Sequence, residues 1–266
     1  RPGHADYTYF AKFGIRDHRG GGRSSARESA CRVAGGAFAA LLLAEFGISV
    51  QSCVTQIGDI KAKEIDFDFA NSSEIFWADQ SSQDSAKELI LNTKNANDSL
   101  GATVLTIIKG APAGLGEVLY NKLDAALASA MMGINGVKGV EIGDGINVAT
   151  MLGSQNNDFM DKNGFKSNHC GGILGGISNG NDIVIKSYFK PTPSIFKAQP
   201  TINLDGNEVI CELRGRHDPC IGVRGSVVAT AMARLVIADM ILLNASANLN
   251  NLKRIYRWEV FRGGGL

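Results

Sequence analysis

The stretch SARESACRVAGGAFAALLLAEFGISVQSCVTQIGDI, residues 25–60, decides the fold class. Ser25 followed three residues later by Glu28 is the S-x-x-E pattern of a helix N-terminus, and apolar residues then run on to Phe46. The pattern predicts a long apolar helix over about 25–46. From Ile48 to Ile60 the composition turns β-branched, which predicts a strand. Further along the chain, 81–97 reads as an exposed amphipathic helix and 102–109 as a buried strand. A second long helix is predicted over 117–133, with Leu119, Leu123 and Leu127 on one face at i, i+4 spacing. Two strands are predicted to flank the glycine-rich segment 171–180 and to end at Phe189. Asp205-Gly206-Asn207 is a hairpin turn between 201–204 and 208–213, and a last helix covers about 227–243. Long helices and strands mix without a regular βαβ rhythm, so the expected class is α+β in layers rather than a doubly wound sheet.

Composition narrows the function classes. The chain has 266 residues, 44% of them hydrophobic and 20% charged, which is globular composition with enough length for a sizeable core. Lysine plus arginine number 27 against 26 acidic residues, and this balance argues against a polyanion binder acting through bulk charge. Five scattered cysteines without CxxC spacing argue against a disulfide framework or a zinc ribbon, and point to a reducing, cytoplasmic setting. The most apolar uncharged runs, 33–44 and 125–137, are too short to span a bilayer, and the start Arg1-Pro2-Gly3-His4 carries no secretory signal. The terminal Gly263-Gly264-Gly265 reads as a frayed end or an appended tail.

Four segments carry chemistry. Arg19-Gly20-Gly21-Gly22-Arg23-Ser24-Ser25-Ala26-Arg27 joins glycines, hydroxyls and arginines to a helix N-terminus, a set that suits an anion. Its other reading is a connector with solvated arginines, and it lacks the lysine-serine ending of a Walker A loop. Arg214-Gly215-Arg216-His217-Asp218-Pro219-Cys220 places a carboxylate beside cationic partners, as a general acid or base requires, but it also fits a surface turn. His217 and Cys220 have metal-ligating chemistry without a second paired cluster, so no metal is expected. Lys190-Pro191-Thr192-Pro193-Ser194 is a loop pre-ordered by two prolines that offers donors, or simply a rigid connector. Asn168-His169-Cys170-Gly171-Gly172, continuing to Gly180, permits close ligand approach or a bulged hairpin. His4, within a basic opening segment, is either structural or catalytic.

Together these runs resemble chorismate synthase. The resemblance rests on RPGHADYTY at 1–9, GGGRSSARE at 20–28, MMGINGVKGVEIGDG at 131–145, GGILGGISNG at 171–180, FKPTPSI at 189–195 and GRHDPC at 215–220, which follow the family's order. It implies a layered β-α-β sandwich in a single domain over 1–266, usually a homotetramer. The implied reaction is anti-1,4-elimination of phosphate from 5-enolpyruvylshikimate-3-phosphate to chorismate, with reduced FMN (FMNH2) and no net redox change. NADPH would serve indirectly by reducing the flavin, through an external reductase.

The resemblance also assigns residues. Arg23, Ser24, Ser25, Asn135, Gly136, Gly175, Lys190, Pro191, Thr192, Pro193, Ser194 and Arg216 match flavin contacts. Arg1, His4, Ser25 and Arg27 match substrate contacts. His4 matches the histidine that stays protonated beside the departing phosphate. Asp218 matches the aspartate that assists removal of the ring proton, with Arg216 and His217 expected to stabilise it. The family has a further segment upstream of RPGHAD, with a GESHG motif whose histidine is a second catalytic group. The chain taken literally is therefore expected to hold part of the site. Alternative readings are an inactive fragment serving as a flavin- or phosphate-binding or oligomerisation scaffold, and an Arg/Gly-loop nucleic-acid module. A near-neutral charge without an aromatic-basic stripe disfavours the latter. No membrane and no nucleic-acid partner are expected.

Overall fold

Ser25 starts the first long helix as its sequence predicts, but with a tighter turn. Its Oγ accepts a hydrogen bond from the Arg27 amide at 3.4 Å, and a 3₁₀ turn, Ala26–Glu28, precedes the α-helical residues. The computed structural model describes residues 1–16, 25–213, 215 and 217–256. Within these, the chain runs α1 (Asp6–Phe13), α2 (Ser29–Ala44), β1 (Ser49–Ile57), β2 (Ile60–Lys61), α3 (Phe67–Ser72), α4 (Gln83–Asn95) and β3 (Ala102–Lys109). Then come α5 (Leu123–Met132), β4 (Val137–Ile142), α6 (Gly153–Asn156), β5 (Met160–Asp161), β6 (Gly164–Phe165), β7 (Ile173–Leu174), β8 (Ile177–Ser178) and β9 (Ile183–Phe189). The hairpin β10 (Gln199–Ile202) and β11 (Glu208–Cys211) precedes α7 (Gly222–Ser246) and α8 (Leu249–Ile255).

Five strands form one antiparallel sheet in the order β2-β1-β3-β9-β4. Period-two alternation decides its inner face. Ile108 pairs with Ile183, Thr106 with Ile185, Val104 with Ser187 and Ala102 with Phe189, and all eight side chains are buried. Helix α7 covers this face across β1, β3 and β9, α2 lies on α7, and α5 packs against α7 and β4. The result is the expected α+β layering of sheet against helices. The remaining strands make three small two-stranded ladders.

Two sequence expectations are corrected. The helix predicted over 117–133 begins only at Leu123. Asn121 adopts φ 58°, and the Leu123 amide donates to the carbonyl of Gly176 in the β7–β8 hairpin, so a distant hairpin sets the helix start. Leu123 and Leu127 are buried on the predicted face, each worth about 1.5–3 kcal/mol, whereas Leu119 is 70% exposed. Beyond the uncharged runs 33–44 and 125–137, helix α7 is long and apolar enough to cross a membrane although it carries Arg224, Arg234 and Asp239. Here it is the central core helix, with Ala229, Ala233 and Ile237 fully buried. The short helices α1 and α8 are not among the predicted elements, and α7 is longer at both ends than 227–243.

Candidate active site

The N-terminal end of α7, the start of α2 and the turn after α5 meet around a cleft of about 650 Å³. Ser25 and Arg27 reach it from the 3₁₀ turn, Asn135 from the turn after α5, and Thr192 from the proline loop. His217 and Asp218 enter from the segment before α7. Ile134, Phe189, Ile221 and Val228 supply apolar wall. The sequence did not single out Arg224, yet it pairs with Asp218, Nη1 to Oδ2, at 3.0 Å. One helical turn separates Arg224 from Ile221, so the helix start presents both at the same cleft. Among the described residues the cationic partner of Asp218 is Arg224, whereas His217, expected beside it, stacks at a tilt on Phe196 with ring centroids 5.6 Å apart; the expected Arg216 lies outside the described residues.

The proline loop is the hub of the site. Thr192 Oγ1 donates to the Asp218 carbonyl at 2.9 Å, and the Thr192 carbonyl accepts from Ser99 Oγ at 2.7 Å. The Lys190 amide donates to the Gly136 carbonyl and its Nζ to the Gly3 carbonyl, both at 2.9 Å. Gly136 sits at φ 90°, and a Cβ there would collide with Ile221 Cδ1. Pro193 lies under Gly3, and Ser194 Oγ accepts from Arg1 Nη1 at 3.5 Å. Pro191 completes the loop, with its Cδ against the strand-preceding Gly101.

Thus the loop ties the opening segment, with Arg1 and His4, to the cleft that holds Asp218. Arg23, Ser24 and Arg216 lie outside the described residues. Gly175 is in the β7–β8 turn and is not among the cleft-lining residues. The neighbouring Gly176 carbonyl bonds the first residue of α5, whereas Asn135 follows its last turn, so about 15 Å of helix separates them. Among the described residues no three His, Cys, Asp or Glu side chains converge as a metal site.

The opening segment has its own charge cluster. Asp6 accepts from Arg1 Nε at 2.7 Å and pairs with Arg16 Nη1 at 2.7 Å. Burial opposes its charge, but the bonds from Arg1 and Arg16 outweigh that and hold the carboxyl well below the usual range. A depressed carboxyl contributes stability above its unfolded pKa and loses it as pH falls toward the folded value. Acid titration from pH 5 downward is therefore expected to raise amide exchange in residues 1–16 before the core opens, and Asp6→Asn to remove that pH dependence.

His4 Nδ1 is 3.2 Å from Arg1 Nη2 and 3.3 Å from Asp6 Oδ1. A neutral ring accepts from Arg1, and a protonated one donates to Asp6. Burial, then Arg1, lower the His4 pKa, with Asp6 partly offsetting them, so these surroundings favour the neutral ring.

The chorismate synthase sequence model matches residues 1–242. The chorismate synthase of Campylobacter fetus subsp. fetus is 72% identical over 256 residues, covering 96% of this chain and 72% of the relative. The chorismate synthase of Campylobacter curvus is 66% identical with the same coverage. A solved structure titled Crystal Structure of Chorismate Synthase superposes with TM-score 0.76 at 29% identity, over 97% of this chain and 76% of that one.

The chain belongs to the chorismate synthase family. Chorismate synthases are lyases of the shikimate pathway that act on a small-molecule substrate, and the family implies a flavin cofactor. The nucleic-acid and scaffold readings gain no support from these matches. In chorismate synthase terms, four of the runs that carried the resemblance contribute to the cleft, through the 3₁₀ turn, the Asn135–Gly136 turn, the proline loop and the Asp218 segment, whereas the run 171–180 supplies none of its lining residues. Residues Arg224 and Asp6 complete them without having been legible as site residues.

Proposed function

We propose that the chain catalyses the anti-1,4-elimination of phosphate from 5-enolpyruvylshikimate-3-phosphate to give chorismate. The observation that carries this reading is the convergence of Asp218, Arg27 and Arg224 on one cleft, joined through the proline loop to Arg1 and His4. The substrate bears a phosphate and two carboxylates, and guanidinium groups in a partly desolvated cleft match such charge.

The donor set also suits FMN. Asn135, Thr192 and Ser25 offer polar contacts, arginines meet anionic groups, and Ile134, Phe189 and Ile221 make an apolar wall for a flat ring. The Cβ-free turn at Gly136 keeps Ile221 in that wall. Arg23, Ser24, Gly175 and Arg216 join this flavin set by resemblance. Reduced FMN, when bound, supplies electron density that loosens the C–O bond to the departing phosphate. NADPH enters only as the source of reduction, outside this chain.

The chain's residues divide the remaining work. Arg1, Ser25 and Arg27 hold the substrate's anionic groups. A phosphate dianion raises the pKa of an adjacent imidazole, so His4 becomes protonated on substrate binding and donates to the leaving group. Asp218 accepts the ring proton, positioned by Arg224. His4→Ala is expected to lower the phosphate-release rate by about 10²-fold or more with the fold retained, measured by single-turnover release.

The proposal extends to one domain, a homotetramer and the cytoplasm. Exposed Phe38 and Leu41 on α2, 76% and 68% exposed, are the kind of apolar surface that assembly covers, and the five free thiols suit a reducing compartment. Anaerobic phosphate release with dithionite-reduced FMN tests the reaction, in this chain and in one extended to the relatives' length. Release dependent on reduced flavin is expected, and its absence in both overturns the proposal. Light scattering reads the tetramer.

A further inference from the structure

Beside the cleft, between α2, α7 and the edge of β1, lies a second cavity of about 300 Å³. Its polar lining is Arg234, Thr230, Ser226, Ser52, Gln51 and Asn71. Arg234 Nη2 donates to the Val50 carbonyl at 3.2 Å, and the other guanidinium donors have no carboxylate partner among the described residues. Half-burial of this cation lowers its pKa, so its charge is under-solvated where it stands. Next to it a chain of hydroxyls runs inward: Thr230 Oγ1 donates to Ser52 Oγ at 2.8 Å, and Ser52 bonds the buried Thr106 Oγ1 at 2.8 Å.

The apolar lining includes Val33, Val50, Phe76 and Val227. Three of these, Val33, Phe76 and Val227, also line the cleft with Asp218. Among the described residues, Phe76 is one of three non-glycine residues with positive φ, at 50°, and its carbonyl is fixed by the Val54 amide at 2.7 Å. A bulky side chain in that region of backbone space is strained by about 1–3 kcal/mol, and Phe76 lines both spaces.

We infer that the Arg234 cavity is a binding site for a small monocarboxylate with an aromatic or alicyclic body, separate from the cleft. The charge and the shape select this class. Arg234 is the only charged residue among the described ones that line the cavity, so it balances one negative charge and not a phosphate dianion. A planar guanidinium with free donors matches a carboxylate in a bidentate manner. The volume stands at the lower end for small-molecule sites, and the valines and Phe76 in the lining offer apolar surface for one ring. The reading does not depend on the reaction proposed for the cleft.

Benzoate is the probe, titrated calorimetrically into the intact protein. Saturable binding is expected, weakened at least tenfold by Arg234→Met and by Ala37→Leu, which narrows the mouth while leaving the charge. Benzamide, neutral and of the same shape, is expected to bind at least tenfold more weakly than benzoate. FMN added to saturation is expected not to displace benzoate. Absence of benzoate binding, unchanged affinity in either folded variant, displacement by FMN, or tighter binding of inorganic phosphate each overturns the assignment. Should Arg234→Met fail to fold, Ala37→Leu and the benzamide comparison decide it.

Discussion

Asp218→Asn is expected to leave the cleft formed and flavin affinity within about threefold, while lowering turnover by about 10²–10⁴-fold, the usual contribution of a general base. The substitution is nearly isosteric. Its amide oxygen can still accept from Arg224 Nη1, which stands 3.0 Å from the carboxylate, so the pair's geometry survives. The backbone is held independently, because the Thr192 hydroxyl bonds the Asp218 carbonyl and not its side chain. Only the capacity to take up the ring proton is removed. Single-turnover phosphate release with saturating reduced flavin separates this from a binding defect. Wild-type turnover in the variant would remove Asp218 from the base role. A loss of flavin affinity equal to the loss of rate would reassign it to binding.

Gly36→Ala is expected to cost stability by about 1–3 kcal/mol or more, the range for overpacking a closed interface. Helix α2 crosses α7 at this residue, and a Cβ there would stand 2.5 Å from both Cα and Cβ of Ala231 and 2.9 Å from its carbonyl oxygen. Two of those three atoms are backbone, so the helices must move apart, and Ala231→Gly is expected to restore only part of the loss. The adjacent Gly35 supplies the contrast. A Cβ there meets nothing nearer than Leu235 Cδ2 at 3.5 Å, so Gly35→Ala is expected to be neutral or stabilising by up to about 1 kcal/mol through helix propensity. Thermal unfolding of the two single variants and the Gly36→Ala/Ala231→Gly pair reads both signs. A Gly36→Ala protein as stable as wild type would mean that α2 and α7 do not close as described.

These two glycines show how far a sequence can be read. The run from Ser25 announces a helix, a cap and then a strand, because capping and β-branched composition are local properties. The same holds for β3, whose predicted bounds are the observed ones, and for a hairpin around 205–207, although its first strand ends at Ile202 rather than 204 and its second at Cys211 rather than 213. Order and spacing of the motifs were enough to place the chain in its family. Adjacent Gly35 and Gly36 are identical in any one-dimensional reading, and only the crossing of α7 makes one of them indispensable.

The site divides along the same line. Sequence alone showed which short runs hold arginine, hydroxyl, histidine and aspartate, and the family resemblance those runs carry grouped Ser25, Arg27, Asn135, Thr192 and Asp218. Tertiary structure decided the pairings. It gave Asp218 to Arg224, ended the predicted helix before Leu119 by docking a hairpin at Gly176, kept Gly175 away from the cleft lining, and left Arg234 facing a cavity. The reason is physical: propensity and periodicity act over a few residues, whereas a charge's partner, a glycine's clearance and a cavity's wall are set by segments that meet only when the sheet and helices close on one another.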